Sequence, residues 1–332
     1  MISVVIATCN RRERLLALLD CLAASDYPLQ EVIVVDGSSD RLEAGELQRY
    51  TKIAIQYLPS EASVCAQRNA GIRRAVSPWI FLCDDDVSFS PDYLGRLVAA
   101  AEQDPQACAF SGLWMELRDG AWGASHPVRS GRELWAKYVF GLGIWGEIRL
   151  AQPNAWTKKI LRHYQEKGNH LTAAGWPVNT DFSKAVIPCP VYSLGAALVR
   201  RESLLRSPFD EVLDRHGIGD HYGVIRGFAS PFVYVVTGNP VFHHQSPVNR
   251  LEQELRYYRR VLALGYFIRR SANKPARLRW LLWSVLGNGL LAMKSGNFRL
   301  ARKSFRAILK MSTGRNPYVL AQKNGRRIIE PK

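Results

Sequence analysis

The sequence predicts an α/β fold: a mostly parallel sheet flanked by helices, with a basic helical extension at the C-terminus. Three observations predict it. The first third alternates short β-branched runs with amphipathic helical patterns, each run ends in small polar or charged residues, and the last quarter is helical and strongly basic. Alternation of this kind calls for a parallel sheet covered on both faces.

Residues 2–7 form an apolar, β-branched run short enough for a buried strand. Asn10 reads as the N-cap of the next helix, with Glu13 completing a capping box. Leu15, Leu19, Leu22 and Ala23 give that helix its apolar stripe. Residues 31–35 are a second strand, closed by the turn-forming Asp36-Gly37-Ser38-Ser39-Asp40. A third strand spans 53–57, a helix 62–76, and a fourth strand 79–83 runs into Asp84-Asp85-Asp86. Pro91 is expected in the first turn of another helix, where its missing N–H costs nothing. Between residues 114 and 189 the periodicity loosens among six tryptophans and many glycines and prolines. Regular patterns return at 191–200 and 232–244, and helices dominate from Leu251 onward. The expected division is 1–113 for the alternating half, 114–250 for the loosely patterned stretch with the regular segments after it, and 251–332 for the basic helical region.

With 332 residues, 47% of them hydrophobic, the chain can bury a large core, and 22% charged residues exclude a disordered composition. The net charge of +16 attracts phosphate-rich ligands, nucleic acid or anionic lipid, without choosing among them. Six scattered cysteines without a CxxC pair argue against a zinc site or disulfide framework and suit a reducing compartment. After Met1 the chain enters a strand pattern, lacking the basic start and apolar core of an export signal. No segment offers the ~20 apolar residues of a membrane span, so a cytoplasmic location is expected.

The Asp84-Asp85-Asp86 triplet carries the strongest chemical signal. Ligands of open parallel sheets bind beyond the carboxyl ends of the strands, and three carboxylates there repel one another unless a cation neutralises them. Mg²⁺ or Mn²⁺ takes such oxygens together with those of a diphosphate; the alternative is a solvated acidic loop capping the next helix. The neighbouring strand ends, Thr8-Cys9-Asn10-Arg11, Asp36-Gly37-Ser38 and Gln67-Arg68-Asn69, should converge on the same edge. There Asp36 can accept from a ribose hydroxyl or base N–H, and the forks of Arg11 and Arg68 suit phosphate or a base carbonyl. Asn10 and Asn69 have capping and turn formation as alternatives, and Arg68 a solvated helix face.

Residues 2–11, Val34-Val35-Asp36-Gly37-Ser38-Ser39-Asp40, Gln67-Arg68-Asn69-Ala70-Gly71-Ile72 and Phe81-Leu82-Cys83-Asp84-Asp85-Asp86-Val87 resemble the donor-binding half of family 2 glycosyltransferases. The resemblance covers residues 1–113 and 191–246 and fades across the tryptophan-rich middle. It implies a GT-A (Rossmann-like) fold, a DXD-type metal site and inversion at the anomeric carbon. It implies a nucleotide-sugar-binding half at 1–113 and an acceptor-binding half at 114–250, nucleotide binding at Thr8, Asp36 and Arg68, and metal and ribose binding at the acidic triplet. Together with the converging strand ends, the candidate donor-binding residues are Thr8, Asn10, Arg11, Asp36, Ser38, Gln67, Arg68, Asp84 and Asp85, and the candidate metal ligands Asp84, Asp86 and His243, with His244 as the alternative. Asp220 matches the family's catalytic base, although many members carry Glu-Asp where this chain has Gly219-Asp220; Asp210 and Glu211 are the reserve candidates. For Asp220 an N-cap role is compatible with catalysis, and for the histidine pair the alternative is one structural and one solvated residue. The implied enzyme is a hexosyl- or deoxyhexosyltransferase using Mn²⁺ or Mg²⁺ and a UDP- or dTDP-sugar. Its implied acceptor is a lipid-linked or polysaccharide glycan of the cell envelope.

The competing readings are weaker. A nucleotidyltransferase resembles its relatives by a Gly-rich basic first loop, which Thr8-Cys9-Asn10-Arg11-Arg12 is not. No GxGxxG follows the first strand, against a dinucleotide oxidoreductase, and no P-loop is present. A basic nucleic-acid-binding protein would match the charge, but no recognition-helix or RNA-binding signature accompanies it, so no nucleic-acid partner is expected. The C-terminal region has dense cations: Arg256, Arg259, Arg260, Arg269, Arg270, Lys274, Arg277, Arg279, Lys294, Arg299, Arg302, Lys303, Arg306 and Lys310. Between them, residues 280–293 are apolar except for Ser284 and Asn288, too short for a span and weakened as one helix by Gly287 and Gly289. Trp280, Trp283 and the basic flanks suit peripheral docking on the inner face of an anionic membrane; the alternative is packing on the catalytic domain with solvated arginines.

Overall fold

The computed structural model describes residues 1–213, 215–245, 248, 251–270 and 276–325. The chain divides into two compact units, Met1–Ala124 with Lys184–Glu211 and Arg215–Arg250, and Ser125–Ser183 with Val212–Asp214 and Leu251–Lys332.

In the first unit the chain runs β1 (Ile2–Thr8), α1 (Arg12–Ala23), β2 (Leu29–Asp36), α2 (Ala44–Leu47), β3 (Ile55–Pro59), α3 (Val64–Arg74), β4 (Trp79–Asp84), β5 (Val87–Phe89), α4 (Tyr93–Gln103), β6 (Ala109–Arg118) and β7 (Ala121–Gly123). The second unit follows with α5 (Gly131–Val139), β8 (Ile144–Trp145), α6 (Ala155–Lys167), β9 (His170–Leu171) and β10 (Pro177–Asn179). The first unit then resumes with β11 (Val186–Cys189), β12 (Ala196–Arg200), α7 (Arg201–Arg206), α8 (Asp220–Arg226) and β13 (Val233–His243). The second closes the chain with α9 (Gln253–Arg270), α10 (Ala276–Lys294), α11 (Phe298–Ser312) and α12 (Pro317–Lys323).

The main sheet is ordered β11-β13-β6-β12-β4-β1-β2-β3, with β5 pairing β13 and β7 pairing β6. Strands β4, β1, β2 and β3 run parallel, whereas β12 lies antiparallel between β4 and β6. The sequence explains the centre: β1 buries nearly every side chain, which requires neighbours on both edges and helices on both faces. Val4, Ile6 and Phe81 form one core with Leu15, Leu18 and Leu22 of α1 and Tyr93, Leu94 and Leu97 of α4. Alternate residues point the other way, and there Gly71 of α3 lies against Val5 and Val35. A β-carbon on Gly71 would fall 2.4 Å from Val5 Cγ1, so only glycine lets α3 approach this closely. The α/β class and the helical C-terminal region are as expected, in a sheet that is mixed.

Several local expectations need correction. Asn10 does not cap α1, which begins at Arg12 after Arg11 with no side-chain cap; Asn10 adopts φ +55°, which asparagine tolerates better than most residues. Pro91 precedes α4 rather than entering it, because the helix starts at Tyr93 after Asp92. The loosely patterned middle holds two helices: Ser130 caps α5 through the Glu133 N–H, and Asn154 caps α6 through the Thr157 N–H. Residues 191–200 are regular only in their second half, the strand beginning at Ala196. Finally, α10 is continuous through both glycines. A β-carbon at Gly287 would sit 2.1 Å from Phe140 Cγ, and one at Gly289 would sit 3.1 Å from Ser304 Cβ. These glycines serve close packing, which overrides their propensity penalty of about 1 kcal/mol. Lys274 lies outside the described residues.

Candidate functional site

Pairing register aligns the carboxyl ends of three parallel strands. Thr8 is opposite Asp36, and Ala7 is opposite Asp84, so the loops after β1, β2 and β4 meet on one edge of the first unit. Gln67 of α3 fastens two of these ends by donating to the carbonyls of Thr8 (2.7 Å) and Val35 (2.8 Å). At β2, Asp36 accepts from the Ser38 N–H at 2.7 Å and from the hydroxyls of Ser38 and Tyr57. Burial, followed by the hydrogen bond to this carboxylate, pushes the Tyr57 hydroxyl well above its ordinary pKa. Asn10 joins the two loops: its N–H donates to Ser38 Oγ (2.6 Å), and its Oδ1 accepts from the Ser39 N–H (3.1 Å).

The acidic triplet is held by arginines. Asp85, 3% exposed, accepts from Thr8 Oγ1 (2.7 Å) and Arg11 Nη1 (2.8 Å). Arg11 also reaches Asp86 Oδ2 at 3.3 Å and donates to the Val248 carbonyl. Burial is the main force lifting the Asp85 carboxyl to about 6, with the Asp86 charge adding to it and Arg11 opposing it. Arg68, 6% exposed, donates through Nη2 to Asp84 Oδ1 and through Nη1 to Asp220 Oδ2, both at 2.5 Å. Its guanidinium carbon lies 5.0 Å from the Phe209 ring centre, within cation–π range. Asp84 is further confined by Gly195, where a β-carbon would fall 2.2 Å from Asp84 Oδ2.

The structure brings Asp220 to this edge as the first residue of α8, after Gly219 at φ +95°. Gly219, not Asp220, occupies the N-cap; Asp220 Oδ1 accepts from the His221 N–H at 2.7 Å. Asn69 holds the preceding segment, exchanging two hydrogen bonds with Phe209 and donating to Glu211 Oε1 at 3.0 Å.

The two histidines diverge. His243 Nε2 lies 3.4 Å from Asp86 Oδ1, and Nδ1 lies 3.9 Å from Glu116 Oε1. Burial alone would lower the His243 imidazole, but the carboxylates of Asp86 and Glu116 raise it to about 9. His243 in turn heads the influences, Arg118 among them, that hold Glu116 near 2. His244 instead pairs its Nε2 with Ser88 Oγ at 2.6 Å, and its backbone N–H donates to the Asp86 carbonyl. Glu116 escaped sequence reasoning because its place follows from the β6–β13 register, which sets it opposite His243, and no local spacing announces that pairing. Tyr57 and Gly195 were likewise not singled out.

Among the described residues, no three His, Cys, Asp or Glu side chains converge into a ready cation cage. Asp86 and His243 nevertheless bring a carboxylate oxygen and an imidazole nitrogen within 3.4 Å of each other, with Asp84 at the end of the adjoining strand. Mn²⁺ accepts this mixture of donors, and Mg²⁺ or Mn²⁺ completes its shell with phosphate oxygens and water. The residues therefore fit a divalent ion that arrives with a diphosphate.

Residues 3–139 match the family model described as Glycosyl transferase family 2. An uncharacterized glycosyltransferase of Bacillus subtilis (strain 168) is 32% identical over 102 residues, 30% of this chain and 38% of that protein. The amylovoran biosynthesis glycosyltransferase AmsB of Erwinia amylovora is 28% identical over 152 residues, 42% of this chain and 50% of that protein. The chain thus spans half or less of the length of the curated relatives it matches. Two solved structures resemble the whole chain in fold. The mannosyltransferase PcManGT from Pyrobaculum calidifontis, in complex with GDP-Man and Mn²⁺, is 16% identical with a TM-score of 0.50 over 97% of this chain and 86% of that one. Residues 1–349 of S. aureus TarS are 13% identical with a TM-score of 0.52 over 98% and 92%. At these identities the likeness shows the GT-A fold alone.

Proposed function

We propose that the chain, whose residues 3–139 match the Glycosyl transferase family 2 model, transfers a sugar from a UDP- or dTDP-sugar to an acceptor hydroxyl with inversion. The observation that carries this reading is the Arg68 bridge between Asp84 and Asp220, which couples the acidic strand end to an isolated carboxylate on another element. Donor recognition falls to Thr8, Asn10, Arg11, Asp36, Ser38, Gln67, Arg68, Asp84 and Asp85. Asp36, already accepting from Ser38 and Tyr57, has one acceptor site left on Oδ2 for a ribose hydroxyl or base N–H; Arg11 and Arg68, whose forks hold the acidic residues, supply positive charge for phosphate; and Gln67 keeps the strand ends in register. Asp84, Asp86 and His243 are the ligands for Mn²⁺ or Mg²⁺, with His244 as the alternative. When bound, the cation stabilises the negative charge of the departing nucleoside diphosphate.

Asp220 acts as the general base, taking the proton of the acceptor hydroxyl at Oδ1 or Oδ2 as the hydroxyl oxygen attacks the anomeric carbon from the face opposite the diphosphate. Asp210 and Glu211 are the reserve candidates. Holding both substrates in line supplies up to ~7–11 kcal/mol of the barrier reduction. The acceptor is a lipid-linked or polysaccharide glycan of the cell envelope, met at the inner face of the membrane. The solved neighbours whose descriptions include GDP-Man or UDP support a nucleotide-sugar donor.

A donor screen tests this function. Purified protein with Mn²⁺ and a panel of nucleotide sugars should release nucleoside diphosphate with one donor, even with water as the acceptor. Release from none, with or without metal and acceptor glycans, would reject the activity. Product NMR then decides stereochemistry: net retention at the anomeric carbon excludes a single displacement.

A further inference from the structure

We propose that the exposed faces of α10 and α11 form a docking surface for an anionic lipid bilayer. The proposal deepens the membrane setting of the proposed function and rests on that reading only for location. Charge is the first support. Between Glu254 and Glu330 the sequence contains no acidic residue and eighteen lysines and arginines. The remainder of the chain holds 27 Lys and Arg against 29 Asp and Glu, so the entire positive excess belongs to this segment.

Side-chain placement is the second support. On α11, Phe298, Arg302, Phe305 and Leu309 recur at spacings of four, three and four, which lines them along one helix face. Phe298 is 71% exposed and Leu309 62%, although both are large apolar residues. Ala301, Ser304, Ala307 and Met311 make the buried face. Arg299 and Arg306 are exposed beside the apolar line. Helix α10 packs against α11 and exposes Leu290 and Met293, with Trp280 and Trp283 toward its N-terminus. Lys294 closes that helix. Apolar side chains to enter hydrocarbon, tryptophans for the interface and cations for phosphate headgroups are the three components of a helix that lies on a membrane.

The apolar chemistry also selects among anionic partners. Single-stranded nucleic acid wants flat rings on which bases stack. Here three of the seven exposed apolar residues, Leu290, Met293 and Leu309, offer no stacking surface and suit acyl chains. No described helix is long and apolar enough to cross a membrane, so the surface rests on the bilayer without spanning it.

Flotation of the full-length protein with phosphatidylglycerol/phosphatidylcholine vesicles tests the proposal, beside pure phosphatidylcholine vesicles and a single-stranded oligonucleotide. The expected result is binding to the anionic vesicles at 0.15 M salt, weakened at 1 M, with little binding to phosphatidylcholine. Each charge reversal among Arg299→Glu, Arg302→Glu and Arg306→Glu should weaken vesicle binding at least about fivefold, since one cation near an anionic surface is worth ~1 kcal/mol. Phe298→Ser with Leu309→Ser should weaken it further at fixed charge, while circular dichroism stays unchanged. No binding to anionic vesicles at low salt, a double Ser variant that binds like the parent, or tighter binding to oligonucleotide than to vesicles would each overturn the proposal. Nucleoside diphosphate release in solution is read in parallel. Vesicle binding without any release leaves the surface standing and removes the activity, and release without vesicle binding does the reverse.

Discussion

Arg68 and Asp220 form a buried ion pair in which Nη1 donates to Oδ2 at 2.5 Å, and the other arm of the same guanidinium holds Asp84. One cation therefore holds both the acidic strand end and the carboxylate proposed as the general base. Removing one partner of a buried pair leaves an uncompensated charge, which typically destabilises by ~3–5 kcal/mol. Arg68→Ala should lower the unfolding free energy from urea titration by an amount in that range, moving the midpoint down, and abolish transfer. A variant of unchanged midpoint would show that Asp84 and Asp220 do not depend on the arginine.

Asp220→Asn is a smaller change: the amide keeps one oxygen that can face Arg68, while the His221 N–H, held in the parent by the other carboxylate oxygen, loses its acceptor. Donor affinity by calorimetry should stay within a few-fold of the parent, while transfer falls by roughly 10²–10⁴, the usual contribution of a general base. Transfer at the parental rate would reassign the role, and Glu211→Gln, tested beside it, would then be the variant to lose activity.

Asp86→Asn addresses the cation. The carboxylate faces His243 and Arg11, and its loss leaves the fold intact but the proposed donor set short of an anionic oxygen. Calorimetry with UDP and Mn²⁺ should show metal-dependent affinity in the parent and none in the variant. Equal affinity in both would make the triplet a solvated acidic loop.

Gly195 offers a steric route to the same edge. An added methyl would fall 2.2 Å from Asp84 Oδ2, so Gly195→Ala must turn the carboxylate or shift the strand end. Overpacking of this kind costs typically 1–3 kcal/mol. Donor-dependent thermal stabilisation should shrink even where the unliganded midpoint moves little, and an unchanged shift with UDP and Mn²⁺ would show that Asp84 contributes nothing to binding.

How much of this was legible depended on whether a feature is local. The strand ends announced themselves, since buried β-branched runs stopping at Thr8, Asp36 and Asp84 imply parallel strands, and pairing register then aligns those residues. Arg68 was readable as a residue of this sheet edge, but its bridge to Asp220 joins positions 152 residues apart and has no local sign. Glu116 was invisible for the same reason. Asn10 misled because the features that suit asparagine to a cap, a short side-chain acceptor and tolerance of unusual backbone, also suit it to positive φ. The second unit was hardest. Its helices α5 and α6 each had a readable cap, Ser130 and Asn154, lost among the glycines, prolines and tryptophans around them.

Gly287 tests the most consequential of those misreadings. Helix propensity alone says that Gly287→Ala should stabilise α10 by about 1 kcal/mol. Packing says the opposite, because the new methyl would sit 2.1 Å from Cγ of Phe140, a ring that also lies 5.1 Å from that of Trp283. An aromatic ring held between a helix and its neighbour cannot yield as a flexible chain end would, so the overpacking penalty of ~1–3 kcal/mol should exceed the gain. Gly287→Ala is therefore expected to lower the unfolding midpoint. Phe140→Leu should lower it too, by leaving a void. The double variant should recover part of the loss, since the smaller side chain makes room for the methyl and the helix keeps its propensity gain. This non-additivity separates packing from propensity: a midpoint that rises on Gly287→Ala alone would mean that α10 and Phe140 do not meet as described, and strictly additive losses would place the damage elsewhere.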